Sequence, residues 1–313
     1  MARAGLRWAA GMPDRIVVLA YTLGWRIISA LPEAIAYPLF TLIADVAWWR
    51  HGKGVLRLEA NLARAVPGAD AAQLRALSRR GMRSYLRYWC DAFRMAGWSR
   101  ERIVGTVRIV NEDTLRGAFV GGGGVVLALA HHGNWDHAGA WSTFELAKVT
   151  TVAERLKPEE LFDRFLAFRE SLGMEILPLT GGGNVFGTLI QRVKNGGFVP
   201  LLCDRDLTDK GVPVTLLGER ARMAAGPAAL AIVTGAPLLP LNIHYERLPA
   251  GAPARWGIVM TAHPPVPVPP GRRPEQLALM MQGCADALGA GIAQHPEDWH
   301  MLQRVFEADL DPR

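Results

Sequence analysis

Cysteine is scarce in this chain: Cys90, Cys203 and Cys284 are three among 313 residues, odd in number and far apart. Such spacing suggests neither a disulfide framework nor a zinc cassette, and a reducing compartment is expected. Charge is sparse as well. Asp, Glu, Lys and Arg make up 20% of the residues against 50% hydrophobic, with 35 basic side chains to 29 acidic and a net charge of +6. Nucleic-acid binders carry more charge, arranged in Lys/Arg stripes, so no nucleic-acid partner is expected. Here the basic residues mix with Trp, Leu and Ile, a composition that suits an anionic membrane surface. A long uncharged run is missing too. The stretch "DRIVVLAYTLGWRIISALPEAIAYPLFTLIADVAWWRHGKG" is interrupted at Arg15, Arg26, Glu33 and Asp45, and so falls short of the ~18–20 apolar residues that span a bilayer. No small-residue cleavage site follows a single apolar core, which is unlike a signal peptide. The expectation is two or more hydrophobic helices, broken near Pro32 and Pro38, that lie on or dip into a membrane. Trp8, Trp25, Trp48 and Trp49 stand near Arg7, Arg26 and Arg50, the pairing that favours the headgroup zone.

Two signatures of familiar chemistry are also absent. No Gly-x-Ser-x-Gly elbow occurs. The glycine runs Gly121–Gly124 and Thr180–Asn184 do not form a phosphate loop, because the first precedes a strand and the second lacks a Gly-Lys-Ser/Thr ending. Both read as turns.

What the chain does contain is an α/β alternation. Residues 56–66 and 71–98 read as amphipathic helices separated by "PGAD", a stop followed by a new N-cap. A short strand, a short helix, a glycine turn and the fully apolar run Val125–Ala130 follow. Further strands are expected at "VTTVAE", "MEILPL", "FVPLLCD" and after "AGPAALAIVTGAP", with helices between them. This order predicts an α/β fold with a central, mainly parallel or mixed β-sheet flanked by helices and ligands at the strands' carboxyl ends. Composition breaks only at the Pro-rich stretch 263–274, so residues 1–313 read as a single domain, with 1–55 as a membrane-apposed helical extension.

"VVLALAHHGNWDHAGAW" places His131, His132, Asp136 and His137 directly after the apolar run. Gly133 permits a sharp turn and Asn134 can cap the helix that follows. Across such a turn Asp136, in the first helical turn, faces back toward the strand end. There it could hold one nitrogen of His131 and leave the other free as a base. A metal site is the rival reading, although His-x-His-x-Asp-His spacing is lacking. Cys203 reads as a small buried apolar residue.

His131-His132-Gly133-Asn134-Trp135-Asp136 resembles the His-x-x-x-x-Asp motif of glycerolipid-type acyltransferases. The "GNWD" form is similar to the branch holding lipid A late acyltransferases and phosphatidylinositol mannoside acyltransferases. "VAERLKPEELFDRFLAFRESLGMEILPL", "GVPVTLLGERARMAAGPAALAIVTGAPLLP" and "HPEDWHMLQRVF" resemble the mannoside enzymes in order and spacing. The resemblance implies transfer of a fatty acyl group, typically palmitoyl, from acyl-CoA as co-substrate to a mannose hydroxyl of phosphatidylinositol mannoside. It implies a peripheral enzyme at the cytoplasmic face of the plasma membrane, with no cofactor, no metal and no protein partner. By the same resemblance His131 is the general base and Asp136 its orienting partner. Glu154 and Arg169 match polar positions of the site. At "CDRDL" the family usually shows Glu-Arg-Asp-Leu, so the resemblance implies Asp204 as a further catalytic residue in contact with His131, standing for a glutamate one methylene longer, with Arg205 beside it as a substrate-binding residue. Arg220 and Arg222 are expected on a basic loop that meets the phosphates of CoA or inositol. A lipid A-type transferase using acyl-ACP, a metal-dependent hydrolase and a non-catalytic lipid-binding protein remain the alternatives.

Overall fold

The computed structural model describes residues 14–155, 158–181, 183–206 and 211–310. Its centre is the run that the sequence marks most clearly. Strand β2 (Val125–Leu129) is buried at every position, as an apolar run covered on both faces must be. It lies between β5 (Phe198–Leu202) and β8 (Leu238–Arg247), parallel to both. Strand β9 (Trp256–Ala262) pairs antiparallel with β8, and β1 (Val107–Val110) runs parallel to β9, giving the order β1-β9-β8-β2-β5. The pair β3 (Thr150–Ala153) and β4 (Glu175–Pro178) continues past β5 through a bridge from Val149 to Phe198.

Alternate residues of β2 serve two cores. Val126 and Ala128 face Leu189 and Val193 of α9 (Val185–Lys194), Leu230 of α10 (Gly226–Thr234) and Leu288 of α11 (Arg273–Gln294). Val125, Leu127 and Leu129 face Trp141 of α7 (Trp135–Glu145) and Phe165 and Phe168 of α8 (Glu159–Ser171). Each buried aliphatic side chain contributes about 1.5–3 kcal/mol of transfer free energy, so the doubly covered strand is the most firmly fixed element of the sheet. Two short helices, α5 (Arg100–Gly105) and α6 (Glu112–Gly117), flank β1.

A helical layer precedes the sheet: α1 (Asp14–Ala30), α2 (Glu33–Trp49), α3 (Lys53–Ala65) and α4 (Ala71–Arg94). Asp70 caps α4 in a reciprocal capping box with Gln73. The expected break occurs at Pro32, but Pro38 lies inside α2. The continuous apolar contacts of Ala36, Tyr37, Phe40 and Ala44 carry the helix through it. Tryptophan placement also departs from expectation. Trp25 packs its ring at 5.0 Å from Phe93 and 5.5 Å from Phe165, and Trp48 donates to Ser78 beneath the Arg75 guanidinium. Among the described tryptophans of this region only Trp49, 75% exposed, faces solvent; Trp8 and Arg7 lie outside the described residues. The exposed face is aliphatic instead, with Leu19, Leu23 and Ile27 on α1 and Ile35, Leu42, Ile43 and Val46 on α2. No helix among the described residues is long and apolar enough to cross a membrane.

Residues 212–223 form an antiparallel hairpin, β6 (Val212–Leu216) and β7 (Glu219–Met223), turning through Leu217 and Gly218, both at positive φ. Such a turn matches the right-handed twist of its strands. The loop expected at Arg220 and Arg222 is therefore a strand.

Candidate active site

The register of the central strands builds the site. Leu129 of β2 lies opposite Leu202 of β5, and the Cys203 amide still donates to the Leu129 carbonyl at 2.9 Å. His131 and Asp204, each two residues past its strand, therefore emerge side by side at the carboxyl ends. His131 Nδ1 stands 2.6 Å from Asp204 Oδ1, and the His131 amide donates to Oδ2 at 3.0 Å. Trp299 Nε1 donates to the same oxygen at 3.0 Å. Burial alone would raise the Asp204 pKa, but the charge and hydrogen bonds of His131, with the bond from Trp299, hold it below the ordinary carboxylate value. An ionised carboxylate only accepts, so Nδ1 carries the proton, and in the neutral ring Nε2 is the nitrogen with the free lone pair.

This arrangement corrects the expected role of Asp136. Its carboxylate is buried, but its oxygens accept from Arg169 Nε at 2.7 Å and from the Tyr88 hydroxyl at 2.8 Å, not from His131. Desolvation opposes the charge of Arg169, yet Asp136 holds its guanidinium more firmly protonated than usual. Asp136 and Arg169 thus form an ion pair that ties α7 to α8. The physical reason is direction: Gly133, at φ +61°, swings the chain so that the first turn of α7 points at α4 and α8 rather than back at the strand end. A Cβ on Gly133 would lie 2.4 Å from the Ile243 carbonyl oxygen, so this turn admits only glycine. Asn134 caps α7, accepting from the His137 amide at 3.0 Å.

The other two histidines of the cluster point elsewhere. Burial lowers both to a pKa of about 4. His132 Nε2 donates to the His295 carbonyl at 2.9 Å and His137 Nε2 to the Ile103 carbonyl at 3.0 Å. The cluster does not converge on a common point, and no set of three metal-ligating side chains comes together among the described residues.

His131 lines a small pocket with Tyr85, Arg205, His300, Met301 and Gln303. Of the other expected substrate-binding residues, Glu154 is exposed and reaches Arg205 only at 4.0 Å. Arg220 and Arg222 do not line this pocket. On one face of β7 both meet Glu307, at 3.2 and 3.0 Å, so a carboxylate already occupies them. Cys203 is fully buried, and burial raises its thiol pKa well above the ordinary value, as befits a packing residue.

His300 belongs to the pocket and was not singled out in the sequence. The Ser84 hydroxyl donates its one proton to Asp298 Oδ1, so it accepts from His300 Nε2 at 2.9 Å. Nδ1 of His300 is then a buried lone pair without a partner, and burial keeps the ring neutral by lowering its pKa. The His300 amide donates to the His131 carbonyl at 2.8 Å, so the "DWH" segment braces the base from behind. The signal was available in "HPEDWH", where a tryptophan and a histidine end a segment rich in hydrogen-bonding groups.

Among the described residues, a histidine and a carboxylate thus pair at the carboxyl ends of adjacent parallel strands, an arrangement suited to moving a proton. The chain belongs to the bacterial lipid A biosynthesis acyltransferase family, whose profile matches residues 4–308. It is 42% identical over 299 residues to the phosphatidylinositol mannoside acyltransferase of Mycolicibacterium smegmatis, covering 95% of this chain and 93% of that one. It is 41% identical over 294 residues to the protein of the same name from Mycobacterium tuberculosis, covering 93% and 89%. Among solved structures, the 1-acyl-sn-glycerophosphate acyltransferase of Thermotoga maritima aligns with a TM-score of 0.39 at 15% identity, over 86% of this chain and 99% of that one.

Proposed function

We propose that this acyltransferase moves a long-chain fatty acyl group, palmitoyl in the first instance, from acyl-CoA to a mannose hydroxyl of a phosphatidylinositol mannoside, with His131 as general base. The observation that carries the reading is the His131–Asp204 pair at 2.6 Å, which fixes the tautomer and leaves Nε2 for substrate. The named relatives supply the acceptor.

A sugar hydroxyl is a poor nucleophile because its pKa lies far above neutrality, whereas a thioester is already activated. His131 Nε2 takes the hydroxyl proton as the oxygen bonds to the thioester carbonyl carbon. Asp204 stabilises the imidazolium that results. Arg205, in the same pocket, supplies positive charge for the carbonyl oxygen as it becomes an oxyanion. The C–S bond then breaks, and His131 returns the proton to the departing CoA thiolate. No covalent enzyme intermediate is needed. The exposed aliphatic face of α1 and α2 supports a peripheral seat on a membrane, and the reading puts that seat on the cytoplasmic face, where acyl-CoA is available. The test is mass spectrometry of the products from palmitoyl-CoA and palmitoyl-ACP, each with a mannosylated phosphatidylinositol and with a lipid A precursor as acceptor. The expected product is one palmitoyl ester on the mannoside, from the CoA donor. Ester formation only from ACP, or only on the lipid A precursor, would replace this reading with the lipid A-type one.

A further inference from the structure

A second cavity, of about 480 Å³, opens between α2, α4 and the β8–β9 turn. Arg83, Arg87 and Arg255 line it with Tyr37, Leu42 and Trp256. It is separate from the pocket at His131. At about 100° per residue, Arg83 and Arg87 lie roughly 130° around α4 from Ser84, Tyr85 and Tyr88, which face the histidine.

Its charge is not internally balanced. Asp45 binds both Arg79 and Arg83 through paired hydrogen bonds of 2.6 to 3.0 Å, which leaves that trio with one excess positive charge. The Arg87 guanidinium carbon lies over the Trp256 ring at 3.6 Å and over the Tyr245 ring at 4.7 Å. Asp91 and Asp298 lie behind it, but their oxygens accept from Tyr37, Tyr245, Asn134 and Ser84. The charge of Arg87 is felt by both carboxylates, but no hydrogen bond joins its guanidinium to them, and exposed Arg255 forms no ion pair among the described residues. Stacking on an aromatic ring holds a guanidinium in a fixed plane, ready for an anion with paired oxygens. Leu42, 62% exposed at the rim, adjoins the aliphatic face of α2. The cavity thus offers cations on its wall and grease at its mouth.

We infer that this cleft binds the phosphodiester headgroup of an anionic phospholipid, apart from the acyl-transfer site, with the lipid's chains leaving past Leu42 into the bilayer. The inference rests on the membrane-apposed part of the proposed function. It is measured without turnover, so acyl transfer and headgroup binding can fail independently.

The probe is flotation of the full chain with phosphatidylcholine vesicles containing one-fifth phosphatidylglycerol, followed by titration with dihexanoyl phosphatidylglycerol and with inorganic phosphate. Arg87→Gln with Arg255→Gln should weaken binding to the anionic vesicles about tenfold or more, from the attraction ordinarily lost per surface cation. Lys194→Gln with Arg273→Gln removes equal charge from exposed positions on α9 and α11, outside the cleft and outside α1 and α2, and should weaken it severalfold less. Arg255→Gln alone, at an exposed residue of the β8–β9 turn, should show part of the loss with an unchanged melting temperature. Equal losses in the two double variants would overturn the site in favour of diffuse charge. Inorganic phosphate binding the cleft as well as the short-chain lipid does would overturn the lipid assignment.

Discussion

At the residue scale the account turns on which carboxylate serves His131. Sequence proximity favours Asp136, five positions on, whereas Asp204 makes the contact from the neighbouring strand. Asp204→Asn should therefore cost more turnover than a change that spares the pair. It leaves Nδ1 without an ionised acceptor and lets the ring adopt the wrong tautomer, a loss of about 10²–10⁴ in kcat. Asp136→Asn should act chiefly on stability, since it strands Arg169, which is part-buried; the loss should approach the cost of breaking a fully buried ion pair, about 3–5 kcal/mol, without reaching its upper end. Steady-state kinetics and thermal melts of the two variants separate these effects, and a larger kcat loss in a well-folded Asp136→Asn would restore the sequence expectation. The motif histidine itself was legible, because an apolar run, a glycine and a capping asparagine announce a strand-to-helix turn. Its partner Asp204 was legible only through the family resemblance at "CDRDL"; the local pattern pointed to Asp136, because pairing across parallel strands depends on register, which no local pattern records. His300 escaped for the same reason: Ser84 and Asp298, which set its tautomer, lie 214 positions apart.

At the element scale, Gly133 decides where His131 and α7 point. Gly133→Ala puts a Cβ against the Ile243 carbonyl at positive φ, and left-handed strain together with overpacking should cost a few kcal/mol. A sharp fall in melting temperature with lost activity is expected; an alanine variant as stable and active as the parent would show that the turn is not needed in this form. Most of the β/α alternation could be read directly, since β2 and β5 are continuous apolar runs and β8 opens on one, Leu238–Leu241. The β6–β7 hairpin was read as loop because its turn is Leu217-Gly218 rather than Asn-Gly, and its strands carry Arg and Glu that face outward. The tryptophans misled for a different reason. An indole beside an arginine also forms in a helical core, as where Arg75 lies 3.7 Å from the Trp48 ring.

At the scale of the whole molecule, buried neutral histidines make stability depend on pH: His132, His137 and His300 all have pKa values lowered by burial. His132 and His137 titrate near 4 when folded and near 6.5 when unfolded. The unfolded chain binds the extra protons, so stability is full above about pH 6.5 and falls as pH drops toward 4. From pH 7 to pH 5 each histidine should cost about 2 kcal/mol. Chemical denaturation at the two pH values checks this, and His137→Gln should remove its share of the difference. An equal loss in His137→Gln would place the proton uptake elsewhere. The exposed aliphatic face of α1 and α2 makes a second claim at this scale. Leu23→Glu with Leu42→Glu should reduce vesicle binding at high salt, where charge is screened and apolar insertion remains.

The central claim, that His131 is the base that activates the acceptor hydroxyl, is tested most directly by single-turnover acyl transfer from palmitoyl-CoA to a mannosylated phosphatidylinositol. The comparison is between the parent chain and His131→Ala at saturating donor, with folding checked by thermal melt and donor affinity by titration. The account predicts a folded variant that binds acyl-CoA normally and transfers about 10²–10⁴ times more slowly. A folded His131→Ala that transfers at the parent rate would contradict it.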